Sequence, residues 1–357
     1  MTGVIIRGGG AAAYSSAFLL RRAGVQVAVN LTDRARVPVL MLSDAAIAMM
    51  RDVFDQPDLF AGAHRIRQRI VAWGKQAEVH VLPHSAAVVS EETVVQSLQG
   101  LMDLDLPATD LPASDLPATD SPASKDTSSR GTKSRSSWNI LSARPLPSPA
   151  AELRFGSRNA TAMRVTLKTE SDSSACWIES LEHGWLFLIP NAVGFGWLLA
   201  VGDTPAALLA SSRLVRAQIL GMGASLAEFP AFPRILSPLC APGWLACGTA
   251  AMAFDPICGD GTAHAIREAI LAAAVIQSAA DGGDVPSLLH HYETRLTAGF
   301  ERHLRLCVNF YRSGFGGSWW DTEAGFLEEG IRWCESKSAS VASYRYRLNG
   351  FALQEAC

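Results

Sequence analysis

The chain has 357 residues, of which 48% are hydrophobic and 18% charged, and its formal net charge is −3. At about 150 residues per domain this supports roughly two domains around a sizeable core and excludes a chain that is disordered or fibrous throughout. The near-balanced charge leaves no basic field for unspecific nucleic-acid binding, and no apolar run reaches the about 18 residues that span a bilayer, so neither nucleic acid nor membrane is an expected partner.

From the start of the chain, Val4-Ile5-Ile6 is a short apolar run, Gly8-Gly9-Gly10 a turn, and 11–22 a stretch of helix formers stopped by Gly24. The β-branched run 25–29 follows, so the order predicts a βαβ opening. Arg7 and the glycines interrupt the apolar start too early for a secretory leader. A helix is expected from Ser43, with Ser43 as N-cap and Asp44 at the positive end of its dipole. Residues 103–137 hold a five-residue repeat, running from Asp105-Leu-Pro-Ala-Thr to Asp120-Ser-Pro-Ala-Ser, and then a Ser/Lys/Arg run. Proline and small polar residues build no core, so this segment is expected to be an extended, mobile insertion, either a tolerated loop or a docking tether.

Beyond it, 176–181, 185–190 and 196–201 read as successive strands with turns at His183-Gly184 and 191–194. A strand at 244–247 leads through a glycine-rich stretch into a helix over 262–278. Residues 288–295, 297–311 and 326–334 read as further helices. Seven cysteines, an odd number without CxxC spacing, point to reduced thiols in a cytoplasmic protein rather than a disulfide or zinc framework, so no metal site is expected.

Two stretches carry chemistry. Gly8-Gly9-Gly10-Ala11-Ala12-Ala13 is a GxGxxA between a strand and a helix. Gly8 permits the tight turn, Gly10 lets a pyrophosphate approach the backbone, and Ala13 lets helix and strand pack closely beneath the free N–H groups. The acid that should close the second strand on a ribose is missing. Asn30 stands there instead, and Asp33 comes late. The second stretch runs from Gly248-Thr249 through Asp255-Pro256-Ile257-Cys258-Gly259-Asp260-Gly261-Thr262 into a helix, whose positive end faces whatever lies above the turn.

At these residues the sequence resembles the FAD-dependent monooxygenases and halogenases of the aromatic-hydroxylase fold. Residues 4–30 match that family's ADP-binding unit. Residues 36–50 resemble its next loop and helix, where an arginine, here Arg36, meets the cofactor. Residues 244–278 resemble its second FAD motif. Trp185-Leu-Phe187-Leu-Ile189-Pro190 is similar to the WxWxIP signature of tryptophan halogenases, with Phe187 in place of the second tryptophan. Residues 82–92 and 154–158 show a narrower likeness to flavoproteins that hydroxylate a protein-borne tryptophan in cysteine tryptophylquinone maturation.

The resemblance implies an α/β chain. Its FAD-binding Rossmann-like domain (1–80 and 232–285) holds an inserted antiparallel β-sheet substrate domain (81–231), and a C-terminal helical region covers 286–357. Gly8, Gly10, Ala13, Asn30, Arg36, Thr249, Asp255, Pro256, Gly259, Gly261 and Thr262 become the FAD-binding candidates. Thr249 replaces the family's ribityl-binding aspartate, which costs a charge-assisted contact. His84 and Trp185 are the catalytic candidates, each set against a plainer role: a loop histidine and core packing. His264, in the first turn of the flavin-facing helix, either touches the cofactor or packs. The implied reaction is hydroxylation of an aromatic, indole-like substrate, a small molecule or a protein-borne tryptophan, through a flavin hydroperoxide. NAD(P)H or a separate reductase supplies the electrons. The alternatives are a halogenase, for which no lysine is placed by spacing, and a flavin-poor protein that binds a partner.

Overall fold

The computed structural model describes residues 3–32, 36–76, 78–105, 137–338 and 345–356. Most of the expected insertion, 106–136, lies outside them; at its edges, a helix extends to Asp105 and a strand begins at Ser137.

Strands and helices are numbered in chain order. A five-stranded sheet has the order β14-β15-β6-β1-β2, made of Cys240–Ala241, Trp244–Ala246, Ser137–Leu141, Gly3–Arg7 and Gln26–Asn30. Its four longer strands are parallel and β14 closes it antiparallel. In β1, Val4 and Ile6 are fully buried while their neighbours are half-buried, the alternation expected of a pleated strand. Helix α1 (Ala11–Arg22) has the bounds read from its composition, and α5 (Gly261–Ala280) packs along it. Nearly every residue of α1 is buried, so its small side chains permit contact on several faces at once.

The second sheet has eight strands, in the order β12-β8-β11-β10-β9-β4-β5-β3. They are Ile219–Pro230, Asn159–Leu167, Phe195–Gly202, Gly184–Ala192, Ala175–Leu181, His64–Ala72, Val79–Val89 and Leu40–Ser43. Every pairing is antiparallel except β4 with β9, which run parallel. Strand β10 is apolar on both sides because both are covered. Trp185, Phe187 and Ile189 join the main core. Leu186 and Leu188 join a smaller one under α4 (Pro205–Ser211), with Leu208 and Leu209. Two small sheets complete the strands: β7 (Ala151–Arg154) with β13 (Arg234–Ser237) and β16 (Met252–Ala253), and a hairpin of β17 (Tyr346–Asn349) and β18 (Ala352–Glu355).

Helix α2 (Asp44–Phe54) starts as expected, with Ser43 Oγ accepting the Ala46 N–H at 3.2 Å. Helix α3 (Glu91–Asp105) follows β5. The two helices expected over 288–295 and 297–311 are one, α6 (Val285–Arg312), since no residue between them breaks an α-helix. It packs on α7 (Ser318–Ser338), and its Tyr292, Phe300 and Leu304 are fully buried in the main core.

The chain is therefore α/β: a Rossmann-like unit, an inserted and mostly antiparallel sheet, and a C-terminal helical region. Strand pairing cuts across the expected boundaries. Strands β3 and β4 precede residue 81 yet belong to the large sheet, while β6, within 81–231, pairs with β1. No described helix is long and apolar enough to cross a membrane.

Candidate active site

A cavity of about 500 Å³ lies between the two sheets. It is lined by Gly9, Gly10, Arg36 and Thr249, by Asp255, Pro256, Gly259, Gly261 and Thr262, and by Phe187, Ile189, Trp197 and Phe229 from the large sheet. The two separated glycine-containing bends thus open onto one cleft. The turn after β1 is shaped by Gly8, whose φ is 128° and whose N–H donates to the Asn30 carbonyl at 2.9 Å. A Cβ there would lie 2.1 Å from Ser142 Oγ, so only glycine fits.

Both long helices that point into the cleft begin without a side-chain cap bond and without an acid in the first turn. Their first-turn N–H groups and positive dipole ends, with Asp260 as the N-cap of the second, face the cleft and suit an anion or an electron-rich carbonyl. Arg36 Nη1 donates to the Gly9 carbonyl at 2.9 Å, and its Nε lies 3.1 Å from Glu92, which fixes it over the turn. Thr249, which lines the cavity, donates from Oγ1 to the Ser142 carbonyl at 3.2 Å, so its hydroxyl oxygen keeps acceptor capacity. Beside it, Glu268 Oε2 accepts the Gly248 N–H at 2.6 Å, while Oε1 has no partner and the residue lines the cavity. Burial pushes this carboxyl up to about 8, opposed by the Gly248 bond, so at neutral pH it carries a proton. An unpartnered buried donor next to an uncapped helix fits a diphosphate.

The Asp255 carboxylate is fully used inside the protein. Oδ1 accepts the Ile257 N–H at 2.9 Å and so caps the 3-10 turn Pro256–Cys258. Oδ2 accepts from Arg158 Nε at 3.0 Å, from Arg158 Nη2, and from the Tyr311 hydroxyl at 2.9 Å. Arg158 Nη1 donates in turn to Glu323 Oε2 at 2.5 Å, and Ser157 Oγ to Glu323 Oε1 at 2.7 Å. Arg158 and Asp255 side chains are wholly buried and Glu323 nearly so. Burial works against the guanidinium charge, but Tyr311, Asp255 and Glu323 more than offset it and raise its pKa above the ordinary arginine value. The network joins the turn at the cleft to the β7–β8 loop and to α6 and α7.

Trp185 lies in this network rather than in the cleft. Its ring is fully buried and its Nε1 donates to the Tyr311 hydroxyl at 3.2 Å, so it is packed core that sequence alternation placed on the same face as Phe187 and Ile189. Gly8 and Ala13 shape the first bend without lining the cavity, and Asn30 is exposed at the end of β2, outside it. His84 lines a second, adjoining cavity of about 370 Å³, which shares Met41, Gly259 and Asp260 with the first. Burial and the neighbouring Arg69, whose Nη2 is 3.3 Å away, lower the His84 pKa. His264, stacked on Phe254 at 4.2 Å, is pushed down to about 4 by burial. Both imidazoles are neutral at pH 7. Arg158, Glu323 and Tyr311 were not singled out as site residues in the sequence. Arg158 stands in a quoted stretch, but its partner Glu323 is 165 residues away.

No protein-family model matches the sequence, and no curated protein matches it. Solved structures do match in shape. Peptidyl tryptophan dihydroxylase QhpG, essential for tryptophylquinone cofactor biogenesis, superposes with a TM-score of 0.70 at 19% identity, covering 99% of this chain and 86% of that one. The flavin-dependent halogenase CmlS gives 0.74 at 15% identity, over 99% and 84% of the two chains. HpxO from Klebsiella pneumoniae, complexed with FAD, gives 0.58 at 14% identity, over 96% and 95%. The chain shares their fold. At these identities the likeness is one of architecture, and the cleft described above lies between the two sheets that define it.

Proposed function

We propose that the chain is an FAD-dependent oxidoreductase that hydroxylates an aromatic, indole-like substrate. The observation that carries this reading is the convergence of residues 9–12 and 255–262 on one cleft that continues onto an aromatic-lined sheet face. The α1 N-terminus, Arg36 and the protonated Oε1 of Glu268 would hold the diphosphate, Thr249 the ribityl chain, and the α5 N-terminus the polar edge of the flavin. FAD, when bound, supplies the oxygen-activating redox chemistry. The protein orients the cofactor on the turn that Asp255 braces, and Phe187, Ile189 and Phe229 exclude water and offer an aromatic ring a flat, apolar wall. The electron donor is NAD(P)H or a separate reductase.

Among the described residues no lysine lines either of these two cavities, and Lys75 is exposed in a turn, which favours hydroxylation over halogenation. A protein-borne tryptophan is the finer reading of the substrate. Strand β12 is a sheet edge with Leu220, Met222 and Leu226 exposed, and its last residues line the cleft, so an extended peptide laid along it would lead to the aromatic wall.

Titration of FAD against the purified chain, followed by quenching of flavin fluorescence, tests the reading. Saturable binding at micromolar FAD is expected. Its absence would leave a protein of this fold that works without the cofactor. Turnover is then compared between free indoles and a tryptophan-bearing peptide, with oxygen uptake as the readout.

A further inference from the structure

The turn that carries Pro256 and Gly259 into the cofactor cleft also carries Cys258, a half-buried thiol facing the smaller cavity. Cys258 Sγ lies 3.7 Å from Cys307 Sγ on α6, and Cys307 Sγ lies 3.3 Å from Nε2 of His303, four residues earlier on that helix. The three ligand-type atoms lie within 4.8 Å of one another. A metal would need the in-plane lone pair of His303 Nε2, which already accepts the buried Asp255 N–H at 2.9 Å. Ligation would orphan that amide next to the Arg158 network. A thiol pair makes no such demand.

We infer that Cys258 and Cys307 form a peroxide-reactive dithiol, which hydrogen peroxide entering the smaller cavity converts to an intramolecular disulfide. The sulfurs are in van der Waals contact, and an S–S bond of about 2.05 Å requires them to approach by roughly 1.7 Å. Cys258 is the attacking group. The Cys307 S–H directed at it pushes its thiol below the ordinary value against the opposing effect of burial. Cys307 is pushed well up, chiefly by burial. Cys176, Cys240, Cys247, Cys307 and Cys334 are buried, so Cys258 is the one described cysteine that opens onto the cavity. Arg69 and Arg302 line the same cavity.

In the first step the Cys258 sulfur takes one peroxide oxygen as the O–O bond breaks, and the other leaves as hydroxide that becomes water with the thiol's proton. This gives Cys258 sulfenic acid. In the second, Cys307 sulfur attacks the Cys258 sulfur, the S–O bond breaks, and the hydroxyl leaves as water with the Cys307 proton. Two thiols lose two electrons, one peroxide gains two, and two waters form. The bond ties the turn at the cofactor cleft to α6.

The full-length protein, with and without added FAD, is treated with hydrogen peroxide, its remaining thiols are alkylated, and its peptides are mapped by mass spectrometry. The expected result is a crosslinked pair containing Cys258 and Cys307, lighter by two hydrogens and restored by dithiothreitol, with Cys258 lost about tenfold faster than Cys240, Cys247 or Cys334. Cys307→Ser is expected to leave Cys258 sulfenic acid trapped by dimedone, and Cys258→Ser to leave Cys307 reduced. Three results would each overturn the inference: Cys258 staying reduced, the other cysteines oxidising at the same rate, or stoichiometric zinc that shields Cys258 from alkylation. The wild-type map decides alone if a variant folds poorly, and the FAD-free arm separates this outcome from that of the cofactor titration.

Discussion

Glu268 turns the geometry of the cleft into a measurable pH dependence. Burial raises its carboxyl to about 8 in the folded chain, whereas the ordinary glutamate value is 4.5. Between these values the folded chain keeps a proton that the unfolded chain has lost, so stability falls as pH rises through this window. The contribution is complete below about pH 4.5. The full interval is worth at most about 5 kcal/mol at 1.36 kcal/mol per pH unit, of which under about 1 kcal/mol is lost by pH 5 and about 4 kcal/mol by pH 8. Its titratable neighbours Cys247 and Tyr292 are both raised by burial and titrate above this range.

Glu268→Gln keeps the shape and the acceptor for the Gly248 N–H, and puts a permanent donor where Oε1 stands. Urea unfolding followed by tryptophan fluorescence is expected to show the variant and the wild type close together at pH 5, and the variant ahead by several kcal/mol at pH 8. FAD affinity is expected to fall above pH 8 in the wild type and to stay flat in the variant, because the donor no longer titrates. A stability difference that is constant with pH, or that favours the wild type as pH rises, would refute the placement of a neutral carboxyl at the cleft.

Three further outcomes follow from the same geometry. Arg158→Met leaves Asp255 and Glu323 buried without their cation, which costs about 3–5 kcal/mol and lowers Tm by roughly 4–7 °C; a calorimetric drop under about 2 °C would contradict the network. Thr249→Asp restores a charged acceptor toward the ribityl chain and is expected to tighten FAD binding about tenfold; equal or weaker binding by fluorescence titration would remove Thr249 from that contact. Trp185→Phe removes the bond to Tyr311, costs about 1 kcal/mol and keeps turnover, whereas turnover lost at unchanged Tm would make Trp185 a substrate contact.

The first bend was legible because every requirement is local. A β-branched run, three glycines and a run of small helix formers fix β1, α1 and their junction within 20 residues. Strand β10 was legible for a similar reason: alternating large apolar residues with no polar face require cover on both sides. Long-range pairing left no such trace. Strand β6 follows the proline-rich repeat and is drawn to β1 by parallel hydrogen bonds across more than a hundred residues. Strand β12 left no strand signal because Gly221 and Gly223 interrupt its apolar pattern, and its pairing with β8 is broken in register three times. The cofactor cleft gathers residues 9–12, parts of 248–262 and Phe187 and Ile189 of β10, each set from a stretch that the sequence singled out, whereas the wall from β11 and β12 at Trp197 and Phe229 carried no such sign. Arg158 and Glu323 look like surface charges in sequence, and only their burial against each other and Asp255 reveals their role.

That role changes how the aspartate of the second motif is read. Asp255 invites assignment as a cofactor ligand, yet its carboxylate oxygens accept from Ile257, Arg158 and Tyr311, and its own N–H is held by His303. What it offers the cleft is the position of the backbone that follows it. The bracing partners come from the β7–β8 loop, from α6 and from α7, so the C-terminal helices are part of the wall that sets the turn rather than an appendage to it. The same turn ends at Cys258 against Cys307 of α6. Helix α6 therefore holds the turn at two points, through the Tyr311 hydroxyl and the His303 imidazole on Asp255 and through Cys307 on Cys258, while the ionic brace comes from Arg158 and from Glu323 of α7.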